Sequence, residues 1–257
     1  MKYNIGIDIG STCAKTIVLD EKKNILHRLL QPTGWSSVET AQMIREKLTE
    51  LGVDWDQAAV VATGYGRISV PYADKCVTEI TCHGRGACHI FGSENLTVVD
   101  IGGQDTKLIC VEDGMVKDFI MNDKCSAGTG RFLEIMANTL AVKPEELCRL
   151  ASLGGGVTIS SMCTVFAESE VISLIGRGEE KENIAFGVVD SIVTKVATQA
   201  GRLDLKASKV CLTGGLCEFF YLKQCLEKKL GVAVATCSDA RYAGAIGAAL
   251  SAANVKK

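Results

Sequence analysis

The strongest constraint on how this chain folds is a motif that occurs twice. Gly6-Ile7-Asp8-Ile9-Gly10-Ser11-Thr12 and Asp100-Ile101-Gly102-Gly103-Gln104-Asp105-Thr106 each place an aspartate at the end of an apolar strand. A glycine, small hydroxyl or amide residues and a second strand follow in both. One such hairpin is an ordinary tight turn. Two copies, 92 residues apart and each opening a similar run of elements, imply a duplicated α/β architecture. Glycine lets backbone N–H groups approach phosphate oxygens, and a neighbouring carboxylate can hold a hydrated Mg²⁺. The pair therefore reads as two phosphate hairpins. Asp8 and Asp100 are the metal-facing carboxylates, Gly10, Ser11, Thr12, Gly102 and Gly103 the cradle, and Lys15 an ammonium within reach of a phosphate.

Periodicity fills in the rest. Strands are expected at Tyr3–Ile9, 14–20, 25–30 and 58–63, with helices at 36–51 and 78–91. The order then repeats: strands at 95–101 and 106–111, an Asp113-Gly114 hairpin turn, and a strand at 115–121. Helices follow at 130–141, 144–151, 163–175 and 184–203. Strands at 209–213 and 232–235 alternate with helices at 219–230 and 242–253. The expected organisation is two packed α/β domains around a nucleotide cleft, residues 1–94 and 95–257. Three prolines and no flexible linker argue for a tight junction.

The 257 residues bury a sizeable core without disulfides. The 28 basic and 30 acidic side chains nearly cancel, which argues against nucleic acid as the partner. No apolar run approaches the ~18–20 residues of a membrane span, and the chain enters a strand pattern at once. A cytoplasmic protein is expected.

Twelve cysteines are many for such a chain, yet no Cys-x-x-Cys occurs, which excludes a single-chain zinc ribbon or ferredoxin-type cluster. Most are expected to be small buried residues: Cys13, Cys76, Cys110, Cys148, Cys211, Cys217, Cys225 and Cys237, together with the Cys82-His83 and Cys88-His89 pairs. Cys125 and Cys163 differ, because each precedes a predicted helix, whose unpaired N–H groups stabilise thiolate. They are either small core residues near helix caps or metal ligands. In the second case a two-fold dimer brings four thiolates together, the number a [4Fe–4S] cluster wants.

A further glycine pair, Gly214-Gly215, ends a predicted strand and with Glu218 lies where backbone could lie against an adenosine; a Gly/Ala-rich stretch closes the chain. Glu79, Gln104 and Asp105 are the candidates for orienting an attacking water. Glu168 and Glu170 are either helix-face charges or groups near the nucleotide or a partner, and Arg131 and Glu134 form an i,i+3 pair. Paired Asp-x-Gly hairpins, a late strand-Gly-Gly and a small-residue last helix resemble the actin, sugar kinase and Hsp70 superfamily. That likeness implies two RNase H-like domains joined by the 78–91 helix and by the 242–253 helix packing back as a second connector.

A more specific resemblance lies in residues 123–132 (Asp-Lys-Cys-Ser-Ala-Gly-Thr-Gly-Arg-Phe) and 163–170 (Cys-Thr-Val-Phe-Ala-Glu-Ser-Glu), with Asp-Ile-Gly-Gly-Gln-Asp at 100–105. These are similar to the ATP-dependent activators of 2-hydroxyacyl-CoA dehydratases and to the ATPase subunits of benzoyl-CoA reductase. The likeness runs end to end, including 62–67 and 79–83. It implies a homodimer sharing one [4Fe–4S] cluster through Cys125 and Cys163 of each subunit. It also implies that hydrolysis of ATP to ADP, with Mg²⁺, drives one electron into a partner iron–sulfur enzyme. The acceptor is then a 2-hydroxyacyl-CoA dehydratase or a double-cubane-cluster enzyme, and the electron source ferredoxin or flavodoxin. Two alternatives stand beside it: a small-molecule kinase like type III pantothenate kinase, and a chaperone-like ATPase. Neither needs the two cysteines, so iron content discriminates.

Overall fold

The computed structural model describes residues 2–160, 163–203, 205 and 209–255. Residues 1–98, 109–119 and 239–257 form one compact unit, and residues 99–108 and 120–238 a second.

In the first unit β1 (Tyr3–Ile9), β2 (Cys13–Leu19) and β3 (Ile25–Pro32) form an antiparallel meander. β4 (Ala58–Thr63) and the two-residue β5 (Lys75–Cys76) extend it in parallel, giving the order β3-β2-β1-β4-β5. Side chains alternate across the sheet. Ile5, Ile7 and Ile9 pack with α1 (Ser37–Glu50) through Ala41, Ile44 and Leu48. Helix α1 starts where Ser36 Oγ accepts the Glu39 N–H at 3.2 Å. The opposite face carries Gly6 and Asp8. Asp8 stands directly across from Lys15 on β2 and Thr63 on β4, so the register sets all three side chains on one face.

That face is covered by α2 (Glu79–Phe91) and α8 (Ala243–Ala252), whose small residues let backbones touch. A Cβ on Gly6 would lie 1.9 Å from the Ala245 carbonyl oxygen, one on Gly86 1.9 Å from that of Ala243, and one on Gly247 1.8 Å from that of Cys82. These clashes meet main chain, which cannot swing aside. Gly247→Val is therefore expected to lower the thermal midpoint of the nucleotide-free protein by about 10 °C or to prevent folding. Gly155→Ala is the control in the same melting experiment, because nothing lies within 4 Å of its added Cβ, and should leave the midpoint unchanged.

The second sheet repeats the pattern: β6 (Leu96–Ile101), β7 (Thr106–Glu112), β8 (Met115–Asn122), β9 (Lys209–Gly214) and β10 (Val234–Ala235), in the order β10-β9-β6-β7-β8. Asp113 and Gly114, at φ 50° and 71°, make the left-handed turn that the Asp-Gly pair predicts between β7 and β8. The helices are α3 (Gly130–Thr139), α4 (Pro144–Ala151), α5 (Thr164–Gly176), α6 (Lys181–Ala200) and α7 (Phe220–Leu230).

Several elements differ from expectation by a residue or two at their ends, and three differences are instructive. Helix α3 stops at Thr139 rather than 141, because Ala141 turns left-handed at φ 52° and Val142 N–H bonds back to Ala137 O at 2.9 Å. Helix α6 runs 181–200 rather than 184–203, starting directly after Glu180 at its N-cap. Strand β5 has no apolar run to announce it. Among the described residues no helix is long and apolar enough to cross a membrane.

Candidate functional site

In the first unit, Gly10 N–H closes the hairpin on Cys13 O at 3.1 Å. Thr33, the residue after β3, braces it, donating its hydroxyl to Gly10 O at 2.7 Å and its N–H to Thr12 O at 2.9 Å. Ser11 and Lys15 are half-buried and Thr12 is exposed at the tip. Asp8 is buried, and its space exists because two neighbours lack side chains. A Cβ on Gly64, at φ +83°, would sit 2.5 Å from Asp8 Oδ1. One on Gly244 would sit 2.6 Å from Asp8 Oδ2 and 2.8 Å from His83 Nε2. Asp8 and the buried His83 imidazole thus border the same point on α8. Glu79, half-buried, is the first residue of α2.

In the second unit the hairpin closes through Gly102 N–H to Asp105 O at 2.9 Å. Asp100 has both oxygens engaged: Oδ1 accepts the Thr213 hydroxyl at 2.7 Å, and Oδ2 accepts from Lys107 Nζ at 3.3 Å. Lys107 also pairs with Asp105 Oδ2 at 2.7 Å. Asp105 is therefore a buried, lysine-paired carboxylate, whereas Gln104 stands exposed at the tip, open to a ligand. Gly214, at φ +85°, passes so close to Ile101 that a Cβ would lie 2.3 Å from its carbonyl oxygen. The half-buried Gly215 and the exposed Glu218 follow in a short 3₁₀ turn.

Three of these groups escape a reading of the sequence alone: Lys107, Thr213 and His83. The first two had a signal. Lys107 follows Asp100 by seven residues as Lys15 follows Asp8, and a Thr-Gly pair falls at the end of β9 (Thr213-Gly214) as one does where β4 ends (Thr63, then Gly64). His83 had none, because its neighbour Gly244 is 161 residues away.

The cysteine pair lies in the second unit. Cys163 is exposed and is the N-cap of α5. Cys125 corrects an expectation: it is half-buried in the turn before α3, whose N-cap is Thr129, so only Cys163 sits at a helix terminus. What relates them is a hydrogen bond between their following residues, Ser126 Oγ and Thr164 Oγ1, at 2.7 Å. Asn122 Nδ2 donates to Cys125 O at 2.8 Å, and Thr129 Oγ1 donates to Ser126 O at 2.6 Å, holding that turn. On the Cys163 side, Glu170 accepts the Ser160 N–H and hydroxyl at 3.0–3.2 Å, and Glu168 accepts the Thr139 hydroxyl at 3.2 Å. Both glutamates bond within their own unit rather than standing as bare surface charges. Arg131 and Glu134 pair on the surface at 3.3 Å.

The expectation that most cysteines are buried is also corrected. Only Cys82, Cys148, Cys211 and Cys217 are, because the others occupy turns, caps and half-covered faces. Burial pushes the Cys82 and Cys148 thiols up to about 12, which keeps both protonated and inert. Among the described residues no three His, Cys, Asp or Glu side chains are grouped to hold a metal ion.

The profile of the BadF/BadG/BcrA/BcrD ATPase family matches residues 5–252. The chain is 45% identical over 253 residues to the (R)-2-hydroxyglutaryl-CoA dehydratase activating ATPase of Acidaminococcus fermentans, covering 97% of this chain and 96% of that one. The crystal structure of component A of that dehydratase superposes with a TM-score of 0.92 at 43% identity, covering 98% of each chain. The activator of the 2-hydroxyisocaproyl-CoA dehydratase from Clostridium difficile, solved with bound ADPNP, gives 0.91 at 34% identity, covering 98% of this chain and 94% of that one.

Proposed function

This chain belongs to the BadF/BadG/BcrA/BcrD ATPase family, and from that premise we propose that it is an ATP-dependent activator that delivers single electrons to a partner iron–sulfur enzyme. The acceptor is a 2-hydroxyacyl-CoA dehydratase or a related double-cubane-cluster enzyme, and ferredoxin or flavodoxin supplies the electron.

One observation carries this reading: a continuous hydrogen-bonded path joins the second phosphate hairpin to both cysteines. Gly130 N–H bonds Gly102 O at 2.9 Å and Arg131 N–H bonds Gly103 O at 2.7 Å, fixing the start of α3 on the hairpin. Thr106 Oγ1 donates to Gly128 O at 2.7 Å, so the hairpin's returning strand grips the Cys125 turn directly. That turn is bonded to α5 and Cys163 through Ser126 and Thr164. A phosphate arriving at Gly102, Gly103 and Gln104 therefore acts on backbone that the cysteine turn shares. ATP drives the change only if it favours one arrangement of this path over another, since equal affinity for both shifts nothing.

The hairpins bind and orient the nucleotide. Gly10, Ser11, Thr12 and Lys15 are the phosphate-binding groups of the first unit, and Gly102 and Gly103 those of the second. Asp8 and Asp100 are the carboxylates for Mg²⁺, Gln104 orients the attacking water, and Gly214, Gly215 and Glu218 flank the adenosine. Cys125 and Cys163 of two subunits would hold a [4Fe–4S] cluster, which supplies the low-potential one-electron chemistry. The donor set fits, because Cys125 and Cys163 precede two residues that are hydrogen-bonded to each other, and neither cysteine is buried. A homodimer is further supported by α5, which exposes Val165, Phe166, Ile172 and Ile175 in the turns after Cys163.

The deciding experiment is anaerobic purification with iron, acid-labile sulfide and molecular mass measured together. About four irons and four sulfides per dimer are expected. A metal-free protein that still hydrolyses ATP after anaerobic reconstitution would return the chain to the small-molecule kinase reading.

A further inference from the structure

The second hairpin contains a group that nucleotide binding alone does not explain: a lysine enclosed between two carboxylates. Lysine side chains usually run along a surface and keep the ammonium in water. The Lys107 side chain is 3% exposed, with Nζ 2.7 Å from Asp105 Oδ2 and 3.3 Å from Asp100 Oδ2, and those side chains are 5% and 2% exposed. Thr213 takes the remaining oxygen of Asp100. Glycines seal the group: a Cβ on Gly102 would meet Asp105 Oδ1 at 2.3 Å and one on Gly214 would meet Asp100 Oδ1 at 3.0 Å.

Two carboxylates held this closely out of water need a cation or a shared proton between them, and here an ammonium is present. Building on the ATPase reading above, we propose that Lys107 is the resident counter-ion of the second hairpin. It takes the charge position a divalent cation would otherwise fill, so Asp100 and Asp105 are held aimed and balanced before any nucleotide arrives, and Mg²⁺ enters only together with phosphate. The triad carries a net charge of −1 with most of its oxygens already engaged. A hydrated dication that wants six oxygen ligands is poorly served there until phosphate oxygens are added. The two hairpins thus divide the work of their related lysines. Lys15, half-buried opposite Asp8, remains available to a ligand, while Lys107 is committed to protein carboxylates. Lys107 is on this account a positioning residue.

The test compares wild type, Lys107→Met and Lys107→Arg by titration with MgCl₂ alone and by thermal melting, without nucleotide. Wild type and Lys107→Arg are expected to take up no Mg²⁺ and to melt at a midpoint that Mg²⁺ does not move. Lys107→Met is expected to melt about 10 °C lower and to recover most of that loss in millimolar Mg²⁺, binding the ion without nucleotide. The proposal is overturned by a wild type that binds Mg²⁺ alone, or by a Lys107→Met protein whose midpoint is unchanged or is not raised by Mg²⁺. If Lys107→Met is insoluble, adding Asp105→Asn returns the group from −2 to the wild-type net charge of −1 and should restore a soluble protein; continued insolubility also overturns it. ADPNP binding by wild type is measured in parallel. Its failure would count against the ATPase reading, while the Mg²⁺ response of the variant would still report on the lysine.

Discussion

Cys163→Ala is expected to abolish electron delivery and to empty the protein of iron, while ATP binding persists. Cys163 is exposed at the N-cap of α5, so alanine there leaves no cavity and removes no buried contact. The thiol's packing role is negligible, and any large effect must come from its chemistry. Iron is expected to fall from about four per dimer to none, and reduction of the partner enzyme to background, because two thiolates of four vanish at once in a symmetric dimer. Cys125→Ala should behave alike with a modest stability loss, since that residue is half-buried in a turn tied to α5. Cys237→Ala, at another exposed cysteine, is the control and should retain both iron and activity. Full electron transfer by Cys163→Ala would sink the cluster assignment while leaving nucleotide chemistry standing. Alkylation gives an independent reading. In apo protein an iodoacetamide label should reach Cys163 early and Cys82 and Cys148 last, and cluster reconstitution should protect Cys125 and Cys163 selectively.

The duplicated hairpin was legible because it is local: a strand, an aspartate, a glycine and a return strand occupy a dozen consecutive residues. The β1 limits and those of α4 follow from periodicity and flanking signals for the same reason. What eluded sequence reasoning depends on where distant segments meet. Lys107 reads as one more charged residue in a strand until folding buries it between Asp100 and Asp105. His83 reads as half of a Cys-His pair until Gly244 packs against it. Of the two cysteines expected at helix starts, Cys163 does sit at one and Cys125 does not, because Gly128, at φ +84°, keeps that turn open until the N-cap Thr129. The relation that matters, Ser126 to Thr164 across 38 residues, is a tertiary contact that neither motif announces.

Asp100→Asn separates the nucleotide chemistry from the cysteines. Asparagine has the same shape, and its side-chain carbonyl can still accept the Thr213 hydroxyl that Asp100 Oδ1 accepts at 2.7 Å. What changes is charge. The Asp100–Asp105–Lys107 group goes from −1 to neutral, with Lys107 still paired to Asp105 at 2.7 Å; the amide NH₂ that replaces Oδ2 faces the Lys107 ammonium, a donor against a donor, so the fold should persist with a loss of about 1–3 kcal/mol. A neutral amide does little to draw Mg²⁺ to the phosphates, and charge stabilisation of the transferring phosphoryl group is where such enzymes gain most of their rate. Mg²⁺-dependent ATP hydrolysis is therefore expected to fall by ~10²–10³-fold. Iron content should stay at the wild-type level, because Cys125 and Cys163 are untouched. Asp8→Asn in the first unit should act in the same direction, with the His83 imidazole beside the substituted amide. Initial rates of hydrolysis and iron content, measured on the same preparations as the cysteine variants, give a crossed pattern. One pair of substitutions loses hydrolysis and keeps iron, and the other loses iron and keeps ATP binding. An Asp100→Asn protein hydrolysing ATP at the wild-type rate would remove the second hairpin from the active site. The hydrogen-bonded path from Gly102 and Gly103 to the cysteine turn would then be a structural brace with no part in energy coupling.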